Sequence, residues 1–108
     1  MITYDQFKQL DIRTAKIVSV EEHPNADRLY VLKVDIGGEE RTSVAGIRPW
    51  YKPEELVGRN IVFLTNLEPA KVRGVDSNGM VLAASMPDHS QVVFLTPEKD
   101  IAPGCPVS

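Results

Sequence analysis

The chain holds a single cysteine, Cys105, in 108 residues, so no internal disulfide can form. Its two histidines, His23 and His89, stand far apart. One Cys with two separated His makes no zinc-type cluster, and no closely spaced acidic set makes a calcium loop. No metal or cofactor is therefore expected. Pairings such as Cys105 with His23, or a serine with His89, show no spacing that marks a nucleophile and its base, so the expectation is a protein that is not an enzyme. No apolar run approaches the ~20 residues of a membrane-spanning helix. Met1 to Leu10 carries Asp5 and Lys8 in an amphipathic pattern and lacks the basic start and apolar stretch of a signal peptide. A cytoplasmic chain with no membrane partner is expected. Repeats, low-complexity tracts and internal linkers are also missing, and the length suits one modest core, so a single domain over residues 1–108 is expected.

Positive charge is scarce overall, with 12 Lys and Arg against 15 Asp and Glu, a net charge of -3. That total argues against a nucleic-acid partner. The distribution is more informative, though solvated charges also scatter unevenly by chance. Residues 1–40 hold five basic against eight acidic residues, and residues 75–108 hold Lys99 alone against four acids. The middle, 41–74, holds Arg41, Arg48, Lys52, Arg59, Lys71 and Arg73 against Glu54, Glu55 and Glu68, six minus three, a net of +3.

Thr3 is placed to cap a short helix from Tyr4 to about Leu10, with Tyr4, Phe7 and Leu10 on one face and Asp5 in the first turn. A two-turn helix is marginal alone, so this stripe must pack on the core or on another subunit. Strands follow. Ile12 to Val20 is rich in β-branched residues, and Leu29 to Ile36 alternates, with Tyr30, Leu32, Val34 and Ile36 sharing a face. The first strand changes parity between Ile12 and Ile17, which a bulge near Ala15 would reconcile. Gly37-Gly38 turns the chain into a third strand, Arg41 to Ile47. A two-residue loop would set Arg41 across from Val34 on the apolar face. A three-residue loop, Gly37 to Glu39, instead sets Thr42 across from Val34 and Arg41 across from Asp35. Keeping the inner face apolar selects the three-residue loop.

Pro53 opens a short helix to Val57, followed by acids and ended by Gly58. Asn60 to Leu67 reads as a central strand, Met80 to Ala84 and Gln91 to Leu95 as two more, and Pro97, Pro103 and Pro106 keep the tail irregular. Three strands, a linking helix and two strands is the order of an all-β, five-stranded Greek-key barrel, the OB-fold, here with an N-terminal helix added. An SH3-like barrel usually lacks the linking helix. An OB-fold binds through strands two and three and the loops joining strands one to two and four to five. Those loops are Glu21 to Arg28 and Glu68 to Gly79, polar and partly basic, so much of the basic middle segment converges on the binding face.

At these loops the sequence resembles the tRNA-binding domain family. His23-Pro24-Asn25-Ala26-Asp27-Arg28-Leu29 is similar to its His-Pro-Asn-Ala-Asp-Lys/Arg-Leu signature, and Asn66 to Gly74 to its Asn-Leu-x-Pro-x-Lys-x-Arg-Gly element. Ser77-Asn78-Gly79-Met80, Gly46-Ile47-Arg48 with Tyr51, and Asp11-Ile12-Arg13 also match, and the likeness runs from about residue 3 to 107. Ala15 stands where a glycine is common and Ser43 where a branched apolar residue is usual. The resemblance implies non-catalytic, largely sequence-independent binding of folded tRNA, either as a stand-alone protein or as a module of a methionyl-tRNA synthetase. Met1 and the full family span lead to the expectation of a stand-alone chain. Free-standing members are dimers, which together with Tyr4, Phe7, Leu10, Ile101 and Val107 gives the expectation of a homodimer built from the terminal segments. A chaperone-like relative within the family supplies the alternative, a protein-interaction dimer.

The candidate tRNA-binding residues are Asn25, Arg28, Lys33, Arg41, Arg48, Lys71, Arg73, Ser77, Asn78 and Met80. Lys71 and Arg73 alternate with Ala70 and Val72 and are expected to project from one side of their loop. Arg28 and Arg48 serve either phosphate or nearby acids such as Asp27. Lys33 lies on the outer face of strand two. Asn25 and Asn78 offer amides, although Pro-Asn and Asn-Gly equally stabilise turns. Ser77 offers a hydroxyl, and Met80 either packs on a base or joins the core. Trp50 and Tyr51 either stack on bases or pin the loop that follows Pro49. His23 is expected to be structural.

Overall fold

The computed structural model describes residues 1–108. Its first element, α1 (Tyr4–Lys8), begins where Thr3 accepts from the Gln6 amide while the Gln6 side chain accepts from the Thr3 amide, a reciprocal cap. The apolar stripe finds little cover: Phe7 is half-buried, whereas Tyr4 is 70% exposed and Leu10 is also exposed.

Five strands form the main sheet. They are β1 (Ile12–Glu22), β2 (Tyr30–Asp35), β3 (Glu40–Ala45), β4 (Asn60–Leu64) and, later in the chain, β7 (Met80–Val81), in the order β3-β2-β1-β4-β7 with every neighbour antiparallel. The short helix α2 (Pro53–Leu56) links β3 to β4, starting with Pro53 and with the Glu55 carboxylate accepting from the Lys52 amide. Between β4 and β7 lies a small separate ribbon, β5 (Ala70–Val72) and β6 (Val75–Ser77). After β7 comes a second ribbon, β8 (Ala83–Ser85) and β9 (Val92–Phe94).

The sheet curls until its outer strands nearly meet. Val44 N donates to Ser77 Oγ at 3.0 Å, Asn78 N to Thr42 O at 2.8 Å, and Ser43 Oγ to Gly79 O at 3.0 Å. These bonds close a five-stranded OB-fold barrel around Ile17, Leu32, Val34, Ile61 and Phe63, with Leu56 of α2 fully buried against one end. Ser43 is itself fully buried, and its bond to Gly79 satisfies the hydroxyl.

The structure corrects the hairpin register. Val34 stands across from Arg41, Lys33 across from Thr42 and Asp35 across from Glu40, which is the two-residue loop. Gly37 and Gly38 have φ of +100° and +88°, the left-handed pair a tight primed turn requires, and Asp35 Oδ1 accepts from both of their amides. Turn chemistry outweighs face parity because Arg41 lies at the barrel mouth, where its guanidinium finds polar partners.

Other boundaries move for similar local reasons. The bulge in β1 falls between Ile17 and Ser19 rather than near Ala15, so Ile17 and Val20 both pack with the core while Val18 turns outward. The strand expected from Met80 to Ala84 breaks at Leu82, whose amide donates to Val62 of β4 while its carbonyl accepts from Leu95. The tail folds back along β1: Thr14 N donates to Cys105 O, Gly104 N to Thr14 O and Val107 N to Ile12 O, which buries Thr14 on the barrel's outside.

Candidate nucleic-acid interface

The loop joining β1 to β2 is shaped by His23. Its amide donates to Leu29 O, closing the loop, and the residue is 4% exposed. Nδ1 accepts the Asn25 N–H at 2.9 Å, so the proton sits on Nε2, which lies 3.0 Å from Val72 O and donates to it. The expectation that His23 is structural holds, and the ring reaches a strand 49 residues away.

Opposite that loop stands the tip of the β5–β6 ribbon. Its two-residue turn is Arg73-Gly74, with φ of +51° and +90°, so Arg73 adopts a left-handed conformation uncommon outside glycine. Asn25 Nδ2 donates to Arg73 O at 3.3 Å. Between the loop and the tip lies an open cleft of about 430 Å³ lined by Asn25, Ala26, Asp27, Arg28, Leu29 and Arg73. Arg28 and Arg73 are both exposed and make no ion pair, so two cationic side chains border one polar cleft.

The remaining candidates divide between free and engaged groups. Lys33 is exposed on the outer face of β2, and Met80 is exposed at the start of β7. Lys71 is 68% exposed and lies 3.8 Å from Asp76, its cross-strand partner. Lys71 therefore stands on a strand and Arg73 on the turn beyond it, rather than both alternating along one side of a loop. Arg41 donates to Thr65 O at 3.0 Å and Asn78 Oδ1 at 3.2 Å, and pairs with Glu39. Arg48 pairs with Glu22 and reaches Ala26 O at 3.4 Å, tying the β3–α2 segment to the β1–β2 loop. The Ser77 hydroxyl and the Asn78 carboxamide serve barrel closure. Trp50 Nε1 donates to Ser90 O, and Tyr51 stacks on Phe94 with ring centroids 4.5 Å apart, so both aromatics pin the barrel end.

At the start of β1, next to Thr65, Asp11 and Arg13 form a two-point ion pair, Nε to Oδ1 at 3.0 Å and Nη2 to Oδ2 at 2.9 Å. The Arg13 guanidinium, helped by the neighbouring Thr65 hydroxyl, holds the Asp11 carboxyl below its ordinary value. Sequence reasoning picked out the Asp11-Ile12-Arg13 motif without this pairing, and it missed the His23–Val72 link and the β5–β6 ribbon. The ribbon's strands are three residues each, too short for alternation to register.

An OB-fold barrel whose basic cleft lies between these two loops defines a ligand-binding domain of the oligonucleotide-binding class. The family model described as "Putative tRNA binding domain" matches residues 12–106, and the chain belongs to that family. It is 52% identical over 106 residues to a methionine–tRNA ligase of Pyrococcus furiosus, covering 98% of this chain and 14% of the ligase. It is 45% identical to that of Clostridium tetani, covering 98% of this chain and 16% of that protein. The chain thus spans a small part of the length of these relatives. Among solved structures it is similar to a methionyl-tRNA-synthetase-related protein from Pyrococcus horikoshii, with a TM-score of 0.93, 32% identity, and 100% and 98% of the two chains covered. It is also similar to the chaperone CsaA of Bacillus anthracis, with a TM-score of 0.89, 32% identity, and 100% and 99% covered. No helix of the chain is long and apolar enough to cross a membrane.

Proposed function

We propose that residues 1–108 act as one non-catalytic domain that binds tRNA through its phosphate backbone and folded shape, with little reading of base sequence. The observation that carries this is the cleft bordered by Arg28 and Arg73, within a family of tRNA-binding domains. Arg28, Lys33, Lys71 and Arg73 supply cations for phosphates, and exposed Asn25 and Met80 supply contact to sugar or base edges. Arg41, Arg48, Ser77 and Asn78 hold the scaffold that presents them, since their polar groups are engaged within the chain.

The setting is the cytoplasm, and the partner beyond tRNA is a methionyl-tRNA synthetase, to which the domain is joined or with which it works; the 52% identity to such a ligase supports this. A homodimer fits the exposed apolar side chains of the terminal segments, Ile2, Tyr4 and Leu10 near the start of the sequence and Ile101 in the tail. Two copies would place two modest basic faces on one tRNA and raise the effective affinity.

A chaperone-like reading has one observation in its favour. An apolar groove of about 250 Å³ between Val44, Ile47, Met80 and Val92 lies on a barrel similar to CsaA. It ranks second because the likeness to the ligases is the higher in identity. A gel shift with bulk tRNA, run beside an assay of suppressed aggregation of an unfolded protein, decides between them. Retarded tRNA with no suppression is expected; suppression without retardation would overturn the tRNA reading.

A further inference from the structure

The β5–β6 ribbon is a small, exposed hairpin, and hairpins of this size have little stability of their own. At its base it is tied to β3 through Ser77 and Asn78. At its tip, the carbonyls of Val72 and Arg73 are both taken by the β1–β2 loop, the first by His23 Nε2 and the second by Asn25 Nδ2. Asn25 is itself held by its amide on His23 Nδ1. One imidazole ring therefore fixes both walls of the cleft: one nitrogen shapes the loop that carries Arg28, and the other fastens the turn that carries Arg73.

From this geometry we infer that His23 is a positioning residue for ligand binding, acting through Arg73 by locking the β5–β6 tip to the β1–β2 loop. The inference rests on the tRNA-binding reading above. The ring suits the task because its two nitrogens lie on opposite edges, and the fixed partners, an amide N–H and a carbonyl, admit one tautomer. With the tip fastened, Arg28 and Arg73 meet the ligand at a set separation, and no ordering is needed at the moment of binding.

Two substitutions divide the ring's functions. In His23→Gln the amide nitrogen reaches the place of Nε2 and donates to Val72 O, keeping the cross-loop bond. In His23→Asn the amide oxygen takes the place of Nδ1 and accepts the Asn25 N–H, keeping the loop but removing the Val72 bond, which leaves the tip held by the longer Asn25 Nδ2–Arg73 O contact alone. In filter-binding with bulk tRNA, His23→Gln should stay within about twofold of the unaltered chain and His23→Asn should weaken binding about tenfold, the effect of one hydrogen bond expressed in a binding constant. In an Arg73→Ala background the His23→Asn effect should vanish, because the ring acts through that arginine. Amide exchange should show faster opening confined to residues 72–75 in His23→Asn alone. Equal losses in both variants, additive losses with Arg73→Ala, or loss of the whole fold in His23→Asn would overturn the inference. If the unaltered chain failed to bind tRNA, the functional reading would fall, while the exchange comparison would still decide whether His23 fastens the tip.

Discussion

Arg41 stands directly across from Val34, a fully buried residue, yet its guanidinium ends at the barrel mouth with Thr65 O, Asn78 Oδ1 and Glu39 around it. A long side chain carries its charged head past an apolar neighbour to polar groups beyond it, and here the guanidinium finds three. This one side chain joins the β2–β3 hairpin to the end of β4 and to the segment that closes the barrel.

Arg41→Ala should therefore cost stability. The Arg41 side chain is only 20% exposed, and its loss strands the Thr65 carbonyl and the Asn78 carboxamide. The expected loss is about 2 kcal/mol, or a fall of roughly 10 °C in Tm, measurable by urea and thermal unfolding. Arg41→Lys should recover little of it, since an ammonium lacks the fork that serves several acceptors at once. An unchanged Tm in Arg41→Ala would mean that water replaces these contacts without cost.

Gly79 offers a sharper test of barrel closure. Its φ is +101°, and a Cβ there would stand 2.3 Å from Phe63 Cε2 and 2.8 Å from Leu64 O. Its carbonyl also accepts from the buried Ser43 hydroxyl. Gly79→Ala combines overpacking with a strained backbone and should destabilise by about 3 kcal/mol. The midpoint of urea unfolding should move accordingly, with β3 and β7 losing amide protection before β1 and β2.

Acid should weaken the chain in part through Asp11. Its folded-state pKa lies below the unfolded value of about 3.9, because the carboxylate is held by Arg13. A depressed carboxyl contributes stability that is complete above the unfolded value and is lost as pH falls through the folded one. Asp88, bonded to the Ser90 hydroxyl and amide, follows the same sign. Between about pH 4 and pH 2, the Tm of Asp11→Asn should fall less steeply than that of the unaltered chain, by a small margin because the pair is partly exposed. Parallel curves would assign acid sensitivity to other groups.

Much of this architecture is legible along the sequence because it rests on local rules. Thr3 caps α1, Pro53 opens α2, the alternation of Tyr30, Leu32, Val34 and Ile36 marks β2, and the order of elements gives the barrel. The β2–β3 register departs from the parity expectation because parity treats a barrel's inner face as uniformly apolar, whereas its mouth admits Arg41 and its seam admits Ser43. Long-range closure left no local trace: nothing near His23 announces a bond to Val72, and nothing in residues 102–107 announces pairing along β1. The candidate site is proposed from the composition of its loops. Its division into exposed cations and engaged ones follows from contacts that join residues far apart in the chain.

That division yields the last expectation, on the salt dependence of tRNA binding. Each phosphate neutralised releases counterions and steepens the log–log dependence of affinity on salt by roughly 0.7–0.9. Arg28, Lys71 and Arg73 are exposed around the cleft and on the ribbon beside it, so Ala at each should weaken binding to all tRNAs about equally and flatten the slope by about one unit. Tm should change little, because these side chains support no buried contact. Met80→Ala should lower affinity without altering the slope, since it removes packing rather than charge. Lys99→Ala, in the segment between β9 and the tail, is the control and should change nothing. Arg41→Ala separates scaffold from contact: it should lower Tm and leave the slope as it was, because its charge is engaged at the barrel mouth. If instead Arg41→Ala flattened the slope as Arg73→Ala does, phosphate would reach the barrel mouth, and the binding face would extend from the loops across β3.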